Sequence, residues 1–323
     1  MKFAIVANGN RPASDTVELA GMADAVGADE FWVTEDYFER GAFAVAGAVL
    51  ARTEKIRVGV GVVNPWTRHP ILTAMETAAL SELGPGRVIL GLGASNKRWM
   101  QDQLGIPFEK PLLRLEEALV MIRGALEGKH VLMESRGGPV DARLGFSIAG
   151  GVPIALGAKG RRALALADRL ADSVVLSTMS SPAYVRWVRE RMGPSTALAA
   201  YVGVSYDDDA RAARERIKPF VAKYLGIHGV HDITTTAGLS PETANALRDG
   251  WLGGRLRTDL VTEEMIDVFC LAGSADDIRA GARRLADAGL DTLVLHHQGD
   301  PDRGVQAELL DVISSSLSDL RDD

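Results

Sequence analysis

Cysteine is almost absent from this 323-residue chain: Cys270 is the only one. That excludes a disulfide framework and any zinc or iron–sulfur site held by several thiolates. Long apolar runs are missing too. The longest, residues 41–51, has 11 residues, against the ~20 that span a bilayer. The run 3–7 that follows Met1-Lys2 is too short for a signal-peptide core. An excess of positive charge is also lacking, since 36 Lys and Arg face 43 Asp and Glu, a net of −7. This argues against a protein that coats nucleic acid. His228 and His231 lie three apart with no carboxylate motif around them, so no metal site is expected. What is present is ordinary globular material, 46% hydrophobic and 24% charged, enough for a sizeable core. The expectation is a soluble, cytoplasmic protein with neither a membrane nor a nucleic acid as partner.

Short, nearly continuous apolar segments alternate with amphipathic stretches along the whole chain. The segments are 3–7, 31–34, 56–63, 88–92, 153–156, 174–177, 199–205 and 292–296. Such runs suit parallel strands buried on both faces. Between them, Leu72, Met75, Ala79 and Leu83 recur at helical spacing behind Pro70. Leu112, Leu115, Leu119, Ile122 and Leu126 do so behind Pro111, proline being favoured in a first helical turn. Ser274 and Asp277 form a capping-box pattern for a helix that Gly289 would end. A closing helix is expected near residues 305–317. Eight strand segments favour a (β/α)8 TIM barrel as a single domain over 1–323, with insertions at about 129–151 and 226–257. The second of these reads as irregular. A doubly wound sheet gives similar local patterns and stands as the alternative.

A barrel carries its chemistry at the C-terminal strand ends. Those ends are polar here: Asn8 and Asn10, then Glu35, Asp36 and Tyr37, the run Asn64 to His69, and Ser95 to Trp99. Further on come Gly157, Ala158, Lys159, Gly160, Arg161 and Arg162, and finally His296 and His297. Arg68, Lys97, Arg98, Lys159, Arg161 and Arg162 concentrate basic charge there in an acidic chain. The glycine turn running into a helix at Arg161 suits a phosphate, and alone it could be an ordinary turn. Together with Gly91 and Gly93 on another strand end it favours an anionic ligand. Gly91-Leu92-Gly93 lacks the third glycine of a dinucleotide fingerprint, that place being Asn96. Ser95 sits in no nucleophile elbow. Of the adjacent His296 and His297, at most one points into the barrel mouth. Trp66 and Trp99 could pack or could wall a flat-ligand pocket, and Glu35 and Asp36 could merely cap a helix.

The run Asn64-Pro65-Trp66-Thr67-Arg68-His69-Pro70 after the third strand resembles a segment of the luciferase-like flavin and deazaflavin oxidoreductases. The similarity is strongest to their methylenetetrahydromethanopterin reductase branch. Residues 86–93, 153–164 and 171–175 resemble that family's fourth, fifth and sixth strands in order. The resemblance implies a TIM barrel that binds coenzyme F-420, an 8-hydroxy-5-deazaflavin, or alternatively FMN, and that forms a homodimer. It also implies a non-prolyl cis peptide at Gly61-Val62. The implied cofactor site comprises Gly61, Val62, Asn64, Thr67, Arg68, Ser95 and Ser177, with the phosphate at Gly157, Ala158, Lys159 and Gly160. The implied activity is hydride transfer between the deazaflavin and a small-molecule substrate with a C=N, C=C or C=O bond. An FMN-dependent monooxygenase is the alternative, and a binding protein without catalysis is a further one. Many relatives carry a histidine after the second strand, where this chain has Glu35 and Asp36. Asp36, or else Glu35, is therefore the expected catalytic proton donor.

Overall fold

A computed structural model of the chain describes residues 1–298, 310–315 and 317–320. In chain order its strands are β1 (Lys2–Ala7), β2 (Glu30–Val33), β3 (Arg57–Val63), β4 (Val88–Gly93), β5 (Val131–Ser135) and β6 (Gly138–Ala142). They continue as β7 (Ile154–Gly157), β8 (Ser173–Leu176), β9 (Ala197–Tyr206), β10 (Cys270–Gly273) and β11 (Thr292–His297). All but β5 and β6 join one sheet in the order β10-β9-β11-β1-β2-β3-β4-β7-β8, and β8 pairs again with β9. The ladder returns on itself as a (β/α)8 barrel, and the doubly wound alternative falls. The sequence pattern missed β10, a four-residue strand beside the far end of β9. Segment 129–151 is an insertion as expected, built around the antiparallel hairpin β5–β6.

By packing, the chain falls into two units. One comprises Ala7–Asp24 and Glu30–Val175. Its interior is organised by Trp32, which is 1% exposed and donates its indole N–H to Glu30 at 2.9 Å. Glu30 in turn meets Arg57 at 3.2 Å. A Cβ on Gly59 would stand 2.3 Å from the Trp32 ring, and one on Gly61 or Gly91 just over 3 Å from it. These glycines therefore make room for an indole.

Helix Pro70–Leu83 forms where the spacing placed it, with Pro70 in the first turn and His69 Nδ1 accepting from Ile71 N at 3.2 Å. Its apolar stripe does not face the core. Thr73, Ala74, Thr77 and Ala78 are buried, while Leu72, Met75 and Leu83 are exposed. Helix Pro111–Leu126 buries Leu115, Leu119, Ile122 and Leu126, as its pattern predicts.

The other unit comprises Met1–Val6, Ala25–Asp29 and Leu176–Asp323. Here residues 226–257 are mostly helical, which corrects the irregular insertion. Helix Ala210–His228 runs into the segment, a turn follows at Asp232–Thr235, and helix Pro241–Leu252 starts behind Ser240, whose hydroxyl accepts from Thr243 N. A Cβ on Gly226 would come within 2.7 Å of Leu247 O, so that glycine marks close helix approach and not a break. Thr234 and Thr236 donate to the Gly229 and Asp232 carbonyls at 2.7 Å, which keeps the threonine run compact. Ser274 and Asp277 close the expected capping box of helix Ala275–Asp287. Of the expected closing helix, residues 310–315 are helical, while 305–309 and 316 lie outside the described residues. No helix of the described residues is long and apolar enough to cross a membrane.

Candidate functional site

The first unit gathers most of the expected residues at the C-terminal ends of β2, β3, β4 and β7. The β3–β4 register shifts between Val60 and Val63. Within that bulge the Gly61–Val62 peptide is cis, as the resemblance implies, and Tyr37–Phe38 is cis as well. The bulge turns the Val62 side chain over its neighbours. A Cβ on Gly93 would lie 2.6 Å from it and one on Gly157 3.1 Å. Gly91 and Gly93 are thus explained by Trp32 and Val62, and the second glycine signal for an anion is packing.

Asn64 is buried and shapes the turn after β3. Its Oδ1 accepts from Trp66 N at 2.9 Å and Thr67 N at 3.2 Å, and its amide donates to the Tyr37 hydroxyl. That hydroxyl also meets Thr67 Oγ1 at 2.8 Å, and the Tyr37 ring packs edge-on to Trp99 with centroids 5.5 Å apart. Burial pushes the phenol's pKa upward. Tyr37 was noted at its strand end without a role, and it proves to join the second and third strand exits. Only the alternation of polar strand ends pointed to it. Trp66 packs: it is 8% exposed, donates to Ala94 O at 3.0 Å and lies between Phe108 and the Arg114 guanidinium.

The two carboxylates after β2 part company. Glu35 receives Arg68 at 3.3 Å through both of its oxygens. Arg68 also reaches Glu76 at 3.0 Å and lies 4.7 Å over the Phe43 ring. Its guanidinium is therefore committed to protein groups. Asp36 accepts from Thr34 Oγ1 at 2.9 Å and is half-buried.

Two features at neighbouring strand ends ask for a polar ligand. β4 and β7 pair through Gly93 and Gly157. Two residues beyond the first, Ser95 adopts φ 59, and its Oγ is buried without a hydrogen-bond partner, an arrangement that costs free energy unless something fills it. Three residues beyond the second, Gly160 caps the ten-residue helix Arg161–Leu170 with no side-chain acceptor. The positive end of that helix suits an anion. Lys159, Arg161 and Arg162 are exposed around it. An anionic, flat cofactor with a polar edge fits these donors. Ser177, just past β8, belongs to the other unit, where its carbonyl accepts from Ser180 at 2.7 Å.

His296 and His297 also belong to the other unit. The His296 ring lies edge-on to Phe220 at 5.0 Å, and burial, with Lys223 and His297 nearby, pushes its pKa down to about 4. His228 is buried, with Nε2 2.9 Å from Thr178 O, and His231 caps a helix. Among the described residues no cluster of three His, Cys, Asp or Glu could hold a metal.

The sequence matches the luciferase-like monooxygenase family over residues 1–292. It is 32% identical over 308 residues to the 5,10-methylenetetrahydromethanopterin reductase of Archaeoglobus fulgidus, covering 90% of this chain and 91% of that protein. The Methanolobus tindarius reductase of the same name is 30% identical, with 91% and 93% covered. Among solved structures, the coenzyme F-420-dependent tetrahydromethanopterin reductase of Methanopyrus kandleri superposes with a TM-score of 0.84 at 25% identity, covering 98% of this chain and 97% of its own.

Proposed function

The chain belongs to the luciferase-like monooxygenase family, and on that footing we propose that it is a coenzyme F-420-dependent oxidoreductase. One observation carries the reading: the orphan Ser95 hydroxyl and the uncapped helix start at Gly160 stand at the ends of paired strands. They suit the polar ring edge and the phosphate of one cofactor molecule. The relatives matched over nine-tenths of the chain, named as methylenetetrahydromethanopterin reductases, and the solved reductase named as coenzyme F-420-dependent favour F-420 over FMN. They also favour a one-carbon-bridged tetrahydropterin as the substrate.

When bound, the deazaflavin supplies or takes a hydride at its C-5 carbon. The protein's part is to hold and to protonate. Lys159, Gly160 and the first turn of helix Arg161–Leu170 would hold the phosphate. Asn64 and Tyr37 fix the turn that presents Thr67. Glu35, tied to Arg68, is a positioning residue, which leaves Asp36 to handle the proton. The exposed stripe Leu72, Met75 and Leu83 would pack on a second copy, and Leu83→Glu should then shift a dimer to monomers in light scattering.

Parallel titrations with F-420 and FMN test the cofactor. F-420 should bind at micromolar concentration or tighter, and more weakly as salt screens the basic rim. Tighter binding of FMN would overturn the choice.

A further inference from the structure

We propose that Tyr37 is a positioning residue that sets the Thr67 hydroxyl as a donor, so that this strand end binds a hydrogen-bond acceptor of the ligand: a carbonyl oxygen or an unprotonated ring nitrogen. The proposal rests on the oxidoreductase reading only in taking that ligand to be the cofactor or its substrate. Tyr37, Asn64 and Thr67 all lie in the unit that holds Glu30–Val175, together with Ser95 and Gly160.

Asn64 sets the direction. It is 4% exposed, and its Oδ1 accepts from the backbone N–H groups of Trp66 at 2.9 Å and Thr67 at 3.2 Å. Two backbone donors on one end of the amide identify that end as the oxygen. The NH2 end therefore faces Tyr37 and donates to the phenol. The phenol has one proton of its own to give, and its other hydrogen-bond partner among the described residues is Thr67 Oγ1 at 2.8 Å. Of the two hydroxyls the alkyl one is the better acceptor, because the phenol's lone pair is delocalised into its ring. Tyr37 therefore donates to Thr67, and the edge-on Trp99 ring, 5.5 Å between centroids, holds the phenol in place.

Thr67 is left with its own proton to place. The one protein acceptor near it among the described residues is Asn64 Oδ1, at 3.4 Å. That is long for O–H···O, and the oxygen already holds two N–H groups. Thr67 is exposed on the turn after β3, and the C-terminal end of a barrel strand is where ligand groups gather. What the chain Asn64–Tyr37–Thr67 offers there is a hydroxyl proton.

Infrared difference spectra of the cofactor-free full-length chain test the direction. A phenol's C–O stretch falls when it loses the acceptor to which it donates, and rises when it loses a donor. Subtracting Tyr37→Phe isolates the Tyr37 band. Thr67→Val, which keeps the shape without the hydroxyl, should lower that band, and a rise or no shift would overturn the proposal. Binding tests the role, through F-420 titrations and KM for the one-carbon-bridged tetrahydropterin. Thr67→Val should weaken one of the two about five-fold, while Thr67→Ser keeps the wild-type value. Tyr37→Phe should weaken the same ligand about three-fold, yet cost nothing further in the Thr67→Val background, a coupling that a merely structural role would not produce. A loss in F-420 affinity puts the acceptor on the deazaflavin, and a loss confined to KM puts it on the substrate. Loss in neither, or additive losses in the double variant, would refute the role. A wild-type chain that binds no F-420 strikes the cofactor reading alone, and the same variants are then titrated with FMN.

Discussion

Arg68→Met separates two roles for a residue that the resemblance places at the cofactor and the structure ties to carboxylates. The guanidinium lies 3.3 Å from both Glu35 oxygens and 3.0 Å from Glu76. The Arg68 and Glu35 side chains are 25% and 10% exposed. Removing one partner of a fully buried pair costs ~3–5 kcal/mol, because the other charge is stranded, whereas exposed pairs contribute ~0–1 kcal/mol. Arg68 is a quarter exposed, so the expected loss is about 2 kcal/mol of stability. Methionine keeps most of the packing on Phe43, so the loss reports charge.

The decisive comparison is the double variant Arg68→Met/Glu35→Gln. A neutral amide no longer needs the guanidinium, so about half of the loss or more should return, a coupling that independent sites would lack. Urea midpoints for the wild type, both single variants and the double variant give the cycle, with an F-420 titration of each. If Arg68→Met is as stable as the wild type while F-420 affinity collapses, Arg68 serves the cofactor and the ion-pair account is refuted. Simple addition of the two single losses would refute the coupling.

Gly160→Val should weaken F-420 binding about ten-fold by titration calorimetry, since the side chain obstructs the phosphate's approach to the helix start. The fold should survive, because Gly160 has φ −110 and ψ 156, a conformation valine favours. Asp36→Asn should lower turnover ~10²–10⁴-fold with F-420 affinity nearly unchanged if Asp36 supplies the proton; steady-state kinetics on a reducible substrate decides. His296, pushed down to about 4 from 6.5, is protonated less readily when folded than when unfolded. Stability is therefore full above pH 6.5 and falls as pH drops toward 4, by up to about 3 kcal/mol. His296→Asn should flatten that part of a urea-midpoint pH profile.

The strands were legible because a parallel barrel hides both faces, so the eight segments read as nearly continuous apolar runs whatever their neighbours. Helix starts were legible where proline or serine marks a first turn, as at Pro70, Pro111 and Ser274. The inward face of helix Pro70–Leu83 was not. It approaches its neighbours through Thr73, Ala74, Thr77 and Ala78, where small size decides burial, and the apolar pattern marks the outside. Segment 226–257 failed for a related reason. Gly226 is permitted by close helix packing and the threonines by carbonyl partners within the helix turn, and neither shows in a propensity.

The run 64–70, which carries the family resemblance, is chiefly a set of structural instructions. Asn64 closes the turn, Trp66 anchors it to Ala94, His69 caps the following helix and Pro70 opens it. Arg68 neutralises Glu35 and Glu76. Only Thr67 is left at the tip, exposed and bonded to Tyr37. A motif of this kind identifies a family because the same turn must be built each time, whatever the substrate. Asp36, the proposed proton donor, lies outside it. Substrate choice therefore has to be sought outside the motif, where single-sequence pattern reading is weakest.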